Sequence, residues 1–178
     1  TSGAVSRIRA SHRTFSDSST NGIRVRRLIK EFGGGGEKVR AVDGLSLEVR
    51  RGELVAFLGP NGAGKTTTMS ILSTELEQTF GEVRVAGLDV SNSEERNVLR
   101  SSAILGFCPQ FDALYESLTV MEHFALWNSC LSGEIESREL TRELAEAVGL
   151  GNYLHVHSSK LSGGNKRKLS IALALLGA

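Results

Sequence analysis

Leu54-Val55-Ala56-Phe57-Leu58-Gly59-Pro60-Asn61-Gly62-Ala63-Gly64-Lys65-Thr66-Thr67 is the stretch from which the rest of the chain is read. Leu54 to Leu58 is a short apolar run of the kind that forms a buried parallel strand. Gly59 to Thr66 has the spacing G-x-x-x-x-G-K-T, and Thr66 to Glu75 follows with helical character. Strand, glycine-rich loop and helix arrive in the order that a phosphate cradle requires. Glycines let consecutive backbone N–H groups turn inward around phosphate oxygens, Lys65 neutralises the β and γ phosphates, and the Thr66 hydroxyl can ligate Mg²⁺. Gly59, Pro60, Asn61, Gly62, Ala63, Gly64, Lys65 and Thr66 are therefore read as a nucleotide-binding loop, with Lys65 acting on the transferred phosphate.

The bulk composition bounds what surrounds this loop. The chain has 178 residues, 40% hydrophobic and 23% charged, which is ordinary for a globular protein with one sizeable core. A formal net charge of +1 speaks against nucleic-acid or anionic-membrane binding by bulk electrostatics. Cys108 and Cys130 are too far apart for a CxxC metal site and too few for a disulfide framework, so two reduced, partly buried thiols are expected. No apolar stretch is long enough to cross a bilayer, so any membrane-spanning part is expected on another segment or chain. Residues 1–22, rich in Ser, Thr and Arg, are expected to be a disordered linker, and a chain starting at Thr1 reads as an excerpt of a longer polypeptide.

Between Ile23 and Val49 the pattern alternates, with runs at Ile23 to Arg26, Val39 to Val42 and Leu45 to Val49, which predicts an antiparallel β subdomain. Gly33 to Gly36 is a hairpin tip, because neither Lys-Thr nor a helix follows it. Gly81 to Gly87 reads as a strand closed by glycines, Ser91 to Arg100 as a capped helix, and Ile104 to Phe107 as a further apolar strand. Thr119 and Glu122 have capping-box spacing at the start of a mostly helical segment. Over Glu136 to Val148, Leu140, Leu144 and Val148 mark a core face and Gly149 a stop; Glu139, Arg142, Glu143 and Glu146 fall on the solvated side. His155 and His157 lack a third ligand and make no metal site. Asp112 and Asp89 are assigned solvated or core-satisfying roles.

Leu161-Ser162-Gly163-Gly164-Asn165-Lys166-Arg167-Lys168-Leu169-Ser170 opens another helix with a small-residue turn, whose unpaired amides and positive dipole end suit an anion. Together with the loop at Gly59, this pair of motifs resembles the nucleotide-binding domain of ATP-binding cassette transporters, with its Walker A loop and LSGGQ signature, from about Ile23 onward. Cys108-Pro109-Gln110-Phe111 is similar to the family's Q-loop, which implies that Gln110 approaches Mg²⁺ and the attacking water. Phe32 falls where the family stacks an aromatic on adenine. Gly106 to Leu114 and Ser162 to Ser170 are similar to the A subfamily, mostly lipid exporters, with Asn165 in place of the general glutamine.

The resemblance implies an α/β fold: a P-loop NTPase core of RecA-like type, an N-terminal antiparallel β subdomain and a helical subdomain over about 111–162, incomplete at its C-terminal end. It implies ATP and Mg²⁺ as cofactors, with Phe32, Gly59 to Thr67 and Gln110 on one nucleotide. Ser162, Gly163 and Gly164 would reach the γ-phosphate held by a second nucleotide-binding domain. It also implies transmembrane domains as partners near Phe111, Leu114 and Tyr115, a place on the cytoplasmic face of a membrane, and no nucleic acid. The family's Walker B Asp-Glu pair, which supplies the base for water, is expected beyond Ala178, so the chain alone is expected to be inactive and poorly soluble. Two other readings are a soluble cassette ATPase working on nucleic acid or ribosomes, and a non-catalytic ATP-binding fragment. Repair and chromosome proteins of the first type carry a long coiled-coil insertion, and no sustained heptads stand between Lys65 and Ser162.

Overall fold

Twelve-residue strands at either side of the Gly33 turn, β1 (Asn21–Phe32) and β2 (Val39–Arg50), pair antiparallel and begin the architecture. The computed structural model describes residues 21–34, 38–101, 104–131 and 138–176. Residues 1–20, most of the expected linker, lie outside the described residues, as do Gly35 and Gly36 of the expected tip. Two compact units divide after Arg100.

In the first unit, β1 also pairs antiparallel with β3 (Phe80–Val85), which pairs with the short β4 (Leu88–Asp89), giving the order β2-β1-β3-β4. Alternation sends Val25, Leu45, Val83 and Val85 inward, where all are buried. Across the sheet, Glu48, Arg24, Arg84 and Asp89 are successive partners, two arginines flanked on either side by a carboxylate. Val25 and Leu28 are both fully buried although three residues apart, which strict alternation forbids. A bulge at Arg26–Arg27, with Arg27 at φ 47°, absorbs the extra residue. The freed Arg27 amide donates to Ser46 Oγ at 2.9 Å. Gly81 faces this bulge at φ 97°, and a Cβ there would stand 2.5 Å from the Arg27 carbonyl oxygen.

Helix α1 (Lys65–Leu72) buries Thr68, Ile71 and Leu72. It stops short of the expected Glu75 because the chain turns at Thr74, φ 66°, whose amide donates to the Ile71 carbonyl. The Arg100 guanidinium, from α2 (Ser93–Ser101), bonds both Thr74 Oγ1 and the Thr74 carbonyl and so anchors that turn. Asn92 Oδ1 caps α2 by accepting from the amides of Glu94 and Glu95. Two expectations are corrected here. Asn21 and Gly22 belong to β1, not to a linker, since the Gly22 carbonyl accepts the Ala86 amide at 2.7 Å. Leu54 to Leu58 forms no strand: Leu54 is 97% and Leu58 82% exposed, because no described residue offers this run a strand to pair with.

The second unit is helical: α3 (Val120–Leu131), α4 (Arg138–Ala147) and α5 (Gly163–Leu176), with 3₁₀ turns at Gly151–Tyr153 and Ser158–Lys160. Val120, Phe124, Ala145, Leu150, Leu154, Leu161, Leu169, Ala172 and Leu173 form its buried core, with Leu144 and Val148 packed against them. The side chain of Leu140, the other expected core position, lies outside the description. The capping box holds: Thr119 N–H donates to Glu122 Oε2 at 2.7 Å and the Glu122 amide to Thr119 Oγ1 at 3.3 Å. The next amides of α3, Val120 and Met121, donate to the carbonyls of Val156 and Leu154. Ile104 to Phe107 is unpaired and Ile104 is exposed, which corrects the strand expected there for the same reason as at Leu54. Cys130 is exposed, contrary to the expected partial burial, while Cys108 is half-buried.

Candidate nucleotide-binding site

The glycine-rich loop closes around its own lysine. Lys65 Nζ donates to the carbonyls of Gly59 and Pro60, both at 2.7 Å, so the loop already wraps a positive charge. The Ala63 amide bonds the Pro60 carbonyl, whereas the amides of Gly62, Gly64, Lys65 and Thr66 have no backbone partner among the described residues. Four unpaired donors at the start of a helix, beside an ammonium group, form an anion receptor. Gly64 fixes where that receptor sits. At φ 82° it lies so close to β2 that a Cβ would stand 2.3 Å from the Ala41 carbonyl oxygen. Thr68 then closes the first turn of α1, its amide and hydroxyl both donating to the Gly64 carbonyl at 2.9 Å. Asn61 and Thr66 are exposed on the loop and Thr67 is half-buried.

Phe32 shares this edge of the first unit. It pairs with Val39, two residues along β2 from the Ala41 that backs Gly64, roughly 7 Å at the rise of a strand. Phe32 is 43% exposed, enough for its ring to offer a face to a base. Sequence reasoning missed Lys30, whose ammonium lies 5.1 Å from the centroid of that ring while donating to the Glu77 carbonyl at 2.7 Å. Arg40, also nearby, is committed elsewhere. It is hydrogen-bonded to Glu31 and then to Asp43, contacts that raise its pKa above the ordinary value. Lys65 therefore supplies the charge offered to phosphate by the loop.

Gln110 and the Ser162 turn belong to the second unit. Gln110 is exposed, between the half-buried Pro109 and an 81% exposed Phe111. Ser162 caps α5: its Oγ accepts from the Asn165 amide at 3.3 Å and its carbonyl from the Lys166 amide at 2.9 Å. Gly163 and Gly164 are exposed, with open space where a Cβ would stand, so the N-terminus of this 14-residue helix faces outward uncovered. One further polar group here, His123, went unread in the sequence. His123, fully buried, accepts the Tyr115 amide on Nε2 at 3.0 Å, and its Nδ1 lies 2.8 Å from the Thr119 carbonyl, an arrangement of the neutral ring with its proton on Nδ1. Asp112 takes the core-satisfying role of its two expected ones, accepting from Ser170 and Arg167 of α5. His157 Nδ1 meets the Ser117 carbonyl at 2.9 Å. No described helix is long and apolar enough to cross a membrane.

Known proteins are similar to this chain in sequence and in fold. The "ABC transporter A family member 4" of Dictyostelium discoideum is 40% identical over 158 residues, 87% of this chain and 10% of the relative. The human "Phospholipid-transporting ATPase ABCA7" is 41% identical over 158 residues, 88% of this chain and 7% of the relative. The chain thus spans about a tenth or less of the curated relatives it matches. Among solved structures, the dimeric post-hydrolysis state of the ATP-binding cassette MJ0796 bound to ADP and Pi superposes with a TM-score of 0.71 at 26% identity, covering 87% of this chain and 69% of that one. The fold is that of the ATP-binding cassettes. Residues 42–178 match the model of the ABC transporter family, and this chain belongs to that family.

Proposed function

We propose that this chain is the ATP-binding part of a membrane transporter, coupling ATP binding and hydrolysis to the movement of a lipid. The observation that carries the proposal is the loop clasped on Lys65, with four unpaired amides at the head of α1. Gly59 to Thr67 hold the triphosphate, Phe32 stacks on adenine, and Gln110 serves the reacting end of the nucleotide. Ser162, Gly163 and Gly164 meet the γ-phosphate of a nucleotide held by a second cassette, a reading supported by the dimeric form of the cassette MJ0796. The exposed Thr66 hydroxyl suits a hard cation, with Gln110 as the second oxygen donor. Mg²⁺ bound there would neutralise charge on the phosphates. Exposed Phe111 and Tyr115 would face transmembrane domains at the cytoplasmic side of the membrane. The lipid reading rests on the names of the relatives, phospholipid-transporting ATPases among them.

No Asp-Glu pair occurs in the sequence, so this chain by itself is expected to bind ATP without turning it over. Equilibrium titration with a fluorescent ATP analogue and Mg²⁺ tests the reading. Saturable binding that Lys65→Ala weakens at least about a hundredfold is expected, from the loss of charge-assisted bonds to two phosphates. Equal binding by both proteins would remove the loop from the site.

A further inference from the structure

Within the second unit, one short segment is clipped to a helix at both ends. Arg167 donates from one guanidinium nitrogen to the Pro109 carbonyl and, at 3.4 Å, to Asp112 Oδ1. Ser170 Oγ lies 2.8 Å from the same Asp112 oxygen and 3.1 Å from the Lys166 carbonyl. A hydroxyl has one proton, and the nearer, charged acceptor takes it. Arg167 and Ser170 are three residues apart on α5, hence on one face. Ser170 is 94% buried, its relative exposure being 6%, between core residues Leu169 and Ala172. A polar group at such a position costs stability unless it is bonded, and the bond it makes reaches back to Asp112. The clip leaves Gln110 and Phe111 projecting between its two fixed ends, both exposed.

We infer that Asp112 is a positioning residue that makes the Gln110 segment and the signature end of α5 one mechanical body. Arg167 stands less than one turn from Gly164, so a shift of the Ser162 turn is carried through the clip to Gln110, and the reverse. This rests on the function proposed above, in which Gln110 serves the chain's own nucleotide and Ser162 to Gly164 the partner's. Under it, the clip lets the state of one nucleotide be felt at the other. Bistable closure needs such a link, because contacts made in only one state transmit nothing unless the parts that make them move together.

Hydrogen exchange on the full 178-residue chain, without nucleotide, tests the clip against Asp112→Leu, Ser170→Ala and Asp112→Asn. Asp112→Leu and Ser170→Ala are expected to speed exchange about tenfold or more, as loss of a charge-assisted bond implies, at residues 107–112 and in the first turn of α5. Exchange in α3 and in the last turn of α5 is expected to stay unchanged. Asp112→Asn keeps an oxygen acceptor for Ser170 and is expected to remain within about threefold of the wild type. Unchanged exchange in Asp112→Leu would overturn the inference. So would a uniform rise across 104–176 shared by Asp112→Asn, which is what a merely stabilising contact would give. Titration of the same variants with MgATP separates the two proposals: failure of the wild type to bind defeats the function, while the exchange pattern still decides the clip.

Discussion

Phe32 shows how a single side chain can be read for chemistry before its surroundings are known, and what the surroundings then add. The sequence places an aromatic at the end of β1, and the structure leaves its ring partly bare with the Lys30 ammonium 5.1 Å from the centroid. That ammonium is fixed by the Glu77 carbonyl, so the cation is held and the opposite face is the one left for a base. Base stacking on an aromatic is worth about 1–3 kcal/mol. Phe32→Ala is therefore expected to weaken ATP binding about 5- to 150-fold and to leave inorganic triphosphate binding unchanged, with Phe32→Trp close to the wild type. Calorimetric titration with both ligands checks this, and equal losses for ATP and triphosphate would show that Phe32 supports the loop, not the base. Lys65 and the loop glycines were legible because their spacing is itself the chemistry. Asp112, Arg167 and Ser170 were not, since their meaning lies in bonds between residues far apart in sequence.

Among the elements, helix starts were read more surely than strands, and for a local reason. A capping box needs only four consecutive residues, so Thr119 and Glu122 were legible and their reciprocal bonds are present. Bonds from the Thr119 amide and hydroxyl hold the Glu122 carboxyl below its ordinary pKa. A depressed carboxylate pKa contributes stability above its unfolded value, near 4.3, that is lost as pH falls through the folded one. Thr119→Ala is expected to lower stability by about 1 kcal/mol at neutral pH. Glu122→Gln is expected to abolish the part of the acid sensitivity below about pH 4.5 that belongs to this cap. Urea titrations from pH 3 to 7 read both, and an unchanged slope in Glu122→Gln would exclude the carboxylate. A strand is a different matter, because its backbone is satisfied by a neighbour that the local sequence does not name. Leu54 to Leu58 and Ile104 to Phe107 carry the right side chains yet stay unpaired among the described residues, whereas Ile23 to Arg26 finds both β2 and β3. The bulge at Arg27 was equally hidden, since it answers to Leu28 and to Gly81 across the sheet.

At the scale of the whole molecule, the function proposed above makes the two motifs halves of different sites. A chain that presents a phosphate loop on one unit and an uncovered helix N-terminus on the other fits a head-to-tail pair, in which each nucleotide meets one loop and the partner's Ser162 turn. Gly163→Asp isolates the second role. Position 163 is exposed with open space around it, and an acidic residue in the first turn of a helix adds about 0.3–1 kcal/mol to its stability. The variant should therefore fold while repelling a γ-phosphate. With a non-hydrolysable ATP analogue and Mg²⁺, the wild type is expected to associate in sedimentation velocity runs, and Lys65→Ala and Gly163→Asp are each expected to stay monomeric. Mixing the two variants is the informative step. A heterodimer pairs the intact loop of Gly163→Asp with the intact turn of Lys65→Ala, giving one whole site and one with both defects. The mixture should therefore associate, more weakly than wild type and more than either variant alone. Association by Gly163→Asp on its own would mean that the turn does not read phosphate. A mixture as monomeric as its components would mean that the two motifs do not meet across a dimer.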